Sequence, residues 1–259
     1  MNGSEEMEVS EIRKLFDIDF VFPSDLSFFT HFLRYHIKET LEIGGEAYVS
    51  RTSNGAVSGI FIYDDYEKVG TIYTRSREVF DYFYGLKPFD FLFAEMGTEL
   101  ESEIYDIYTV DLENLVLAHR FSYEISIADR EHIGEIEQFM TSTHPGINKR
   151  WVGVALKNAD TCFIVKLGNE IAGVGWLSLV NGIGRLHSLY VRPQLRRIGI
   201  GKDILNARLL WLKSRHAHSA FTEISRYNIP SARNVMKAQM KVFGQAFQYF
   251  KKDACKKKN

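Results

Sequence analysis

The apolar residues in the second half of the chain follow two periods, one typical of strands and one typical of helices. Residues 161–191 form three apolar or alternating segments separated by Gly168-Asn169 and Asn181-Gly182, which predicts a three-stranded meander. From Ile204 to Leu212 the apolar residues recur at helical spacing. Together with the flanking segments, this pattern predicts the element order β-α-α-β-β-β-α-β-α-β over residues 121–252.

The first half of the chain shows similar patterns. A capped amphipathic helix is predicted from Pro23-Ser24 to Gly44-Gly45. Two strand-like runs meet at Asn54-Gly55, a strong hairpin signal. A third strand (KVGTIYT), a short helix (SREVFDYFYGLK) and a buried aromatic strand (FDFLFAEM) follow. Nothing in this half has the spacing of catalytic residues.

The stretch from Gly184 to Leu205 joins a predicted strand to a predicted helix through a basic turn, Arg196-Arg197-Ile198-Gly199-Ile200-Gly201. The first N–H groups of a helix lack intrahelical partners, and the helix dipole favours anions there. The two glycines let the backbone approach phosphate oxygens without an intervening Cβ. The stretch therefore predicts a diphosphate-binding site.

Composition narrows the class of protein. The 259 residues, of which 45% are hydrophobic, are enough for one large domain or two smaller ones. No apolar run approaches the roughly 20 residues needed to span a bilayer, and the acidic N-terminus does not resemble a secretory signal. Cys162 and Cys255 are the only cysteines, so neither a disulfide framework nor a cysteine zinc site is expected. We expect a cytoplasmic protein without membrane attachment.

The net charge of −1 hides a strong asymmetry between the two halves. Residues 1–120 hold 23 acidic and 10 basic side chains, whereas residues 121–259 hold the remaining 10 acidic and 22 basic ones. A basic half can indicate nucleic-acid binding. Here five of its lysines lie in the terminal segment KKDACKKKN (251–259), others flank the phosphate-type turn, and the acidic half complements it. Nucleic-acid binding is therefore disfavoured.

The turn carries a family resemblance. The pattern V-x-P-x-x-R-x-x-G-x-G over Val191–Gly201, on a strand-to-helix turn after a meander, resembles the acetyl-CoA motif of the GNAT acetyltransferase superfamily. The resemblance covers 122–252 and includes Asn228 and Ser231 after the fifth strand. It implies an α/β (α+β) fold with a mixed, mostly antiparallel central sheet flanked by helices. An ordinary glycine-containing turn is the alternative; a Rossmann site is disfavoured because the preceding strands are hairpin-linked.

The two halves also resemble each other. At a constant offset of 114 residues, Gly59 aligns with Gly173 and Gly70 with Gly184. Beyond the third strand the offset grows to about 130, so roughly 16 residues, those of the phosphate turn and part of its helix, are missing from the first half. A chance likeness between two hairpins is the alternative.

This comparison predicts two tandem GNAT-like domains. Residues 1–120 would form a degenerate GNAT-like domain that lacks the acetyl-CoA loop, and 121–252 the acetyltransferase domain. Residues 253–259 would form a basic tail. The first domain would then be a scaffold, or a wall of the substrate cleft.

The GNAT resemblance also implies roles for individual residues. Backbone N–H groups of the turn would bind the diphosphate, and the pantetheine arm would pair with the preceding strand like an extra strand. Acetyl-CoA is the implied cosubstrate, and no metal is expected. The residues implied in donor binding are Leu189, Tyr190, Val191, Arg196, Arg197, Ile198, Gly199, Ile200, Gly201, Lys202, Asn228 and Ser231.

His187 is the leading candidate for the general base. It lies in an L-H-x-L-x-V pattern similar to that of the aralkylamine acetyltransferases, and an imidazole titrates near neutral pH. A histidine packed between sheet and helix is the alternative. Strand alternation would turn Ser188 to the opposite side. His144 and Trp151 lie where the family shapes its substrate pocket, although Trp151 could equally be a core residue.

One feature departs from the family. Many members carry a tyrosine about seven residues after the asparagine that corresponds to Asn228, and this tyrosine protonates the leaving thiolate. Here that region reads Asn234-Val235-Met236. Tyr227 and Tyr190 are nearby in sequence, and Tyr227 is our candidate for the missing acid.

Two functions follow as hypotheses. The first is an acetyl-CoA-dependent N-acetyltransferase acting on a primary amine, either a small molecule or a lysine or N-terminal amine. The acidic first half favours a cationic acceptor such as a polyamine, an aminoglycoside or a lysine side chain. The second is a non-catalytic acyl-CoA-binding or protein-interaction module. We expect a monomer or homodimer.

Overall fold

The computed structural model describes residues 7–13, 30–117, 120–143, 147–158 and 160–250. The predicted helix start at Pro23-Ser24, His144 and the basic tail lie outside them. By contacts the chain divides into two compact units, one of Met1–Ile104 with Gln245–Asn259 and one of Tyr105–Gly244. None of the described helices has the length and apolar character needed to cross a membrane.

Twelve strands and six α-helices follow one another along the described residues. The elements up to the middle of the chain are β1 (Glu8–Glu11), α1 (Thr30–Ile43), β2 (Glu46–Arg51), β3 (Val57–Asp64), β4 (Val69–Thr74), α2 (Arg77–Leu86), β5 (Phe91–Ala94) and β6 (Ser102–Asp111). The remaining elements are β7 (Ser126–Ile127), α3 (Ile133–Thr143), α4 (Lys149–Lys157), β8 (Thr161–Leu167), β9 (Glu170–Val180), β10 (Ile183–Val191), α5 (Ile200–Ser214), β11 (Ser219–Ser225), α6 (Ile229–Lys237) and β12 (Lys241–Phe250).

The sheet of the first unit has the order β1-β2-β3-β4-β5-β12. Neighbouring strands are antiparallel except β4 and β5, which are parallel because helix α2 carries the chain across between them. The Asn54-Gly55 hairpin is confirmed, with Gly55 at φ +81. The core of the first unit includes Phe61, Phe80 and Phe83, all fully buried.

The sheet of the second unit has the order β7-β8-β9-β10-β11-β6. Its neighbouring strands are also antiparallel except β10 and β11, which are parallel because helix α5 connects them. One face packs against α5 and α6 through a core that includes Leu186, Leu209 and Leu212. The other face packs against α3 and α4 through Trp176 and its neighbours. The mixed, mostly antiparallel sheet with flanking helices agrees with the prediction.

The two units share one topology, and each contains a strand from the other half of the sequence. Strand β6, at the end of the first half, pairs with β11 in the second unit. Residues 247–250 of β12, at the end of the second half, pair with β5 in the first unit. The domain boundaries predicted at 120/121, from the sequence repeat, and at 252/253, from the basic tail, stay predictions. The contacts divide the chain within β6 and within β12.

The aligned glycines have a common packing reason. A Cβ on Gly59 would lie 2.5 Å from Val79 of α2, and a Cβ on Gly173 would lie 2.9 Å from Ile200 of α5. Both glycines therefore let the crossover helix approach the middle strand of its meander closely. This equivalence and the shared strand order support the predicted degenerate first domain.

Candidate active site

The turn between β10 and α5 has the backbone conformation of a tight anion-binding loop. A single 3-10 turn at Pro193–Leu195 leads to Arg197 at φ +68 and Gly199 at φ +104, and α5 begins at Ile200. No side chain forms a capping hydrogen bond at Gly199. The first N–H groups of α5 therefore have no side-chain cap and are available to a ligand.

Neighbouring elements hold the turn in this conformation. The Tyr123 hydroxyl donates to the carbonyl oxygen of Ile198 at 3.0 Å, and Arg196 Nε donates to the carbonyl oxygen of Val191 at 3.2 Å. From α6, Asn234 Nδ2 donates to the carbonyl oxygen of Gly201 at 3.2 Å. All three hydrogen bonds are accepted by backbone carbonyl oxygens, so they use none of the backbone N–H groups of the turn.

The predicted donor site contains both buried and exposed side chains. Ile200 is buried in the core beneath α5, so it contributes backbone to the turn and anchors the helix. Arg197 and Lys202 are exposed and supply positive charge. Asp203, in the first turn of α5, is buried, and its Oδ2 accepts the Ser122 N–H at 2.6 Å. A carboxylate that would repel phosphate is thereby held in the protein interior.

Strand β10 leaves its parallel neighbour before it reaches the turn. Its pairing with β11 covers only Ile183–Arg185, whereas its pairing with β9 continues to Val191. A bulge lies between His187 and Tyr190, with Ser188 at φ +47. The edge of β10 over 189–191 is thus placed where an extended ligand could add as a strand.

His187 lies at the bulge, among polar groups. Its side chain is 15% exposed, and its Nε2 is 3.2 Å from Ser178 Oγ and 3.5 Å from Asp160 Oδ2. Its Nδ1 is 3.3 Å from Ser188 Oγ. The prediction that Ser188 faces the side of the strand opposite His187 is wrong. The positive φ at the bulge breaks the strand alternation and brings the Ser188 hydroxyl beside the imidazole.

Two buried groups lie beneath this site. Arg208 of α5 donates from Nη1 to the carbonyl oxygens of Trp176 and His187, at 2.8 and 3.1 Å, which ties β9 and β10 together at the bulge. Burial lowers the pKa of Arg208 to about 9 by penalising its charge. Burial likewise raises the pKa of Cys162, so this thiol stays protonated.

Trp151 contacts both the protein core and the candidate base. Its ring lies 4.7 Å from the buried Trp176 ring and 6.0 Å, edge-on, from the imidazole of His187, measured between centroids. It therefore packs on the core and borders the candidate base. Tyr190 packs partly against the same cluster.

The residues after β11 are arranged around a helix cap. Asn228 Oδ1 accepts the Ser231 N–H at 3.3 Å, so both residues form the N-terminal cap of α6. Tyr227 precedes the cap and its side chain is 83% exposed. At the position of the missing tyrosine, Asn234 instead ties α6 to the first turn of α5.

Sequence patterns did not indicate three members of the site. Asp160 stands in a loop without a motif, Ser178 lies in an apolar strand, and Arg208 is one of several basic residues on a helix. The alignment of β8, β9 and β10 brings them together. A charged residue within an otherwise apolar helical face was the one available signal, at Arg208.

Comparison with known proteins agrees with this geometry. The family model described as "Acetyltransferase (GNAT) family" matches residues 120–237. Residues 120–237 are a GNAT acetyltransferase domain. No curated protein matches the chain by sequence.

Solved structures extend the GNAT likeness over most of the chain. A tandem GNAT protein from the clavulanic acid biosynthesis pathway has a TM-score of 0.59 at 10% identity, over 95% of this chain and 98% of that one. A GCN5-related N-acetyltransferase from Sphaerobacter thermophilus has a TM-score of 0.57 at 13% identity, over 78% and 79%. A Drosophila protein has a TM-score of 0.64 at 10% identity, over 88% and 92%. At these identities the likeness concerns the fold alone.

Proposed function

We propose that the chain is an N-acetyltransferase that moves an acetyl group from acetyl-CoA to a primary amine. One observation carries the proposal most directly. Within the GNAT domain of this chain, helix α5 begins without a side-chain cap. It follows strand β10, whose pairing with the parallel strand β11 stops at Arg185. This combination suits a donor with a diphosphate at one end and an extended arm leading away from it.

The donor would occupy the residues predicted from the sequence. The N–H groups of Arg197–Lys202 would bind the diphosphate, and the backbone of Leu189–Val191 would pair with the pantetheine arm. Gly201 supports this assignment, because a Cβ there would lie 3.7 Å from Val191 and 3.8 Å from Leu189, so the glycine places the backbone of α5 beside this part of β10. Asn228 and Ser231 would act through the cap of α6, next to the thiol end.

The proposed acetyl transfer needs a base for the amine proton and an acid for the leaving thiolate. The neutral amine nitrogen forms a bond to the acetyl carbon as the carbon–sulfur bond breaks, and coenzyme A leaves as a thiolate. His187 would take the proton that the nitrogen loses. Tyr227 would return a proton to the thiolate, and its exposed position keeps its hydroxyl accessible.

The acceptor is proposed to be a cationic amine. The excess of acidic side chains in residues 1–120 favours positively charged acceptors such as polyamines, aminoglycosides or lysine side chains. The runner-up function is a non-catalytic acyl-CoA-binding or interaction module, which the absence of the usual tyrosine from α6 favours.

A thiol-release assay with acetyl-CoA over a panel of amines tests the proposal. The panel should hold a polyamine, an aminoglycoside, a lysine peptide and an aralkylamine. We expect coenzyme A release that depends on an amine and falls by about 10²–10⁴-fold in His187→Ala. His218→Ala, at an exposed histidine, is the control and should match the wild type. Donor binding with no turnover on any amine would instead favour the non-catalytic module.

Tyr227→Phe tests the proposed acid separately. We expect a lower kcat with an unchanged KM for acetyl-CoA, because only the leaving thiolate would lose its proton donor. An unchanged kcat would remove Tyr227 from the mechanism and leave the transfer itself unaffected.

A further inference from the structure

Asp160 is a buried carboxylate that the acetyl-transfer mechanism has not used. It lies in the loop between α4 and β8, and its side chain is 1% exposed. Among the described residues, neither of its carboxylate oxygens has a hydrogen-bond partner. Burying an unpaired carboxylate is costly, so such a group points to a partner that shares its charge or its proton.

The imidazole of His187 faces this carboxylate. Oδ2 of Asp160 lies 3.5 Å from Nε2, and Ser178 Oγ lies 3.2 Å from the same nitrogen. The pairing of Thr161 with Leu177 places Asp160 beside Ser178 on one face of the sheet. Nε2 therefore faces two oxygen acceptors.

The other charged and titratable groups near the ring do not compete for this role. Arg208 directs its Nη1 to backbone carbonyl oxygens, including that of His187, and not to the ring. Burial raises the pKa of Cys162, so the thiol carries no charge. Trp151 meets the ring edge-on and offers an apolar wall. Within the described chain, Asp160 is the carboxylate that faces His187.

The opposite nitrogen of the ring faces a hydroxyl. Ser188 Oγ lies 3.3 Å from Nδ1, a contact that the bulge creates by giving Ser188 a positive φ. With a proton on Nε2, directed at Asp160 and Ser178, the lone pair on Nδ1 can accept the Ser188 hydroxyl proton. The three side chains then form a carboxylate–imidazole–hydroxyl chain.

We propose that Ser188, His187 and Asp160 form the proton relay of this domain, with Asp160 as the positioning residue that fixes the tautomer of His187. As the nitrogen–carbon bond forms, the amine proton passes to Ser188 Oγ and the Ser188 proton passes to Nδ1. The imidazolium that results lies beside the carboxylate, and coenzyme A leaves with the electrons of the carbon–sulfur bond. The relay rests on the proposed acetyl transfer.

The tautomer can be measured without any turnover. Nitrogen-15 NMR of the imidazoles in the full chain should show His187 with its proton on Nε2 and a lone pair on Nδ1. In Asp160→Asn this preference should be lost. Asp129→Asn is a matched control, because Asp129 pairs with the imidazole of His132 at 2.7 Å in an exposed position. The control should leave the His187 signals unchanged.

Kinetics provide the second readout. Asp160→Asn should lower kcat by at least tenfold, leave the KM for acetyl-CoA within twofold, and move the acid limb of the pH–rate profile to lower pH. That direction follows because the imidazolium loses its neighbouring negative charge. Ser188→Ala should also lower kcat while the His187 tautomer stays as in the wild type.

The possible failures are distinguishable. A wild-type His187 with its proton on Nδ1, or an Asp160→Asn chain with an unchanged tautomer and pH profile, overturns the relay even if acetyl transfer is observed. A wild type that binds acetyl-CoA but transfers no acetyl group overturns the proposed function. The wild-type NMR measurement decides the relay arrangement even if Asp160→Asn does not fold.

Discussion

Gly201→Ala should separate donor binding from folding, because the structure leaves room for the new methyl group in the protein itself. Gly201 is the second residue of α5, and a Cβ there would lie 3.7 Å from Val191 Cγ2 and 3.8 Å from Leu189 Cδ2. These are ordinary van der Waals contacts. Since alanine favours helix over glycine by up to about 1 kcal/mol, the free energy of unfolding should stay level or rise slightly.

Acetyl-CoA binding should respond in the opposite direction. The methyl group would occupy the space between α5 and residues 189–191 of β10, where the donor's diphosphate and arm would meet the backbone. Displacing the donor from one or two backbone N–H groups costs about 1–3 kcal/mol. The Kd should therefore rise by about 5- to 150-fold.

Calorimetric titration with acetyl-CoA and urea unfolding measure the two effects. Gly134→Ala is the matched control, since Gly134 is the second residue of α3, is exposed, and a Cβ added to it would have no neighbouring atom within 4 Å. The control should leave the Kd unchanged. A Gly201→Ala chain that folds and binds acetyl-CoA as tightly as the wild type would refute the placement of the donor beside this helix turn.

Three further predictions concern the stability of the second unit. Gly184→Ala places a Cβ in steric overlap with Leu212 Cδ1, so urea unfolding should show a loss of about 1–3 kcal/mol. Because Leu212→Ala removes the overlapping atoms, the loss in the double variant should be smaller than the sum of the two single losses. Asp203→Ala removes the acceptor of the Ser122 N–H and should lower the free energy of unfolding by about 1–3 kcal/mol; an unchanged urea midpoint would contradict this. Because burial raises the pKa of Cys162, its thiol should resist alkylation at pH 8 in a Cys255→Ser chain until denaturant is added, and rapid labelling without denaturant would count against its burial.

Local signals in the sequence predicted local structure well. The Asn54-Gly55 hairpin and the strand–turn–helix around Gly199 depend on backbone preferences of a few adjacent residues. Likewise, the offset between Gly59 and Gly173 was visible because both crossover helices need the same close approach to their meander.

Features that depend on distant pairing were not predictable in this way. Strand β6 was missed, and its exchange with β12 could not be foreseen, because both strands obtain their partners from the other half of the sequence. Strand alternation predicted the wrong side for Ser188, since a bulge changes the register without leaving a sequence signal. Asp160 reaches His187 only through the folded sheet.

The central claim is that the chain has one acyl-donor site, at the turn that the second half carries and the first half lacks. Calorimetric titration of the full chain with acetyl-CoA tests it most directly. We expect binding at one site per chain. Two sites per chain would contradict the degenerate first domain, and no binding would contradict the donor site itself.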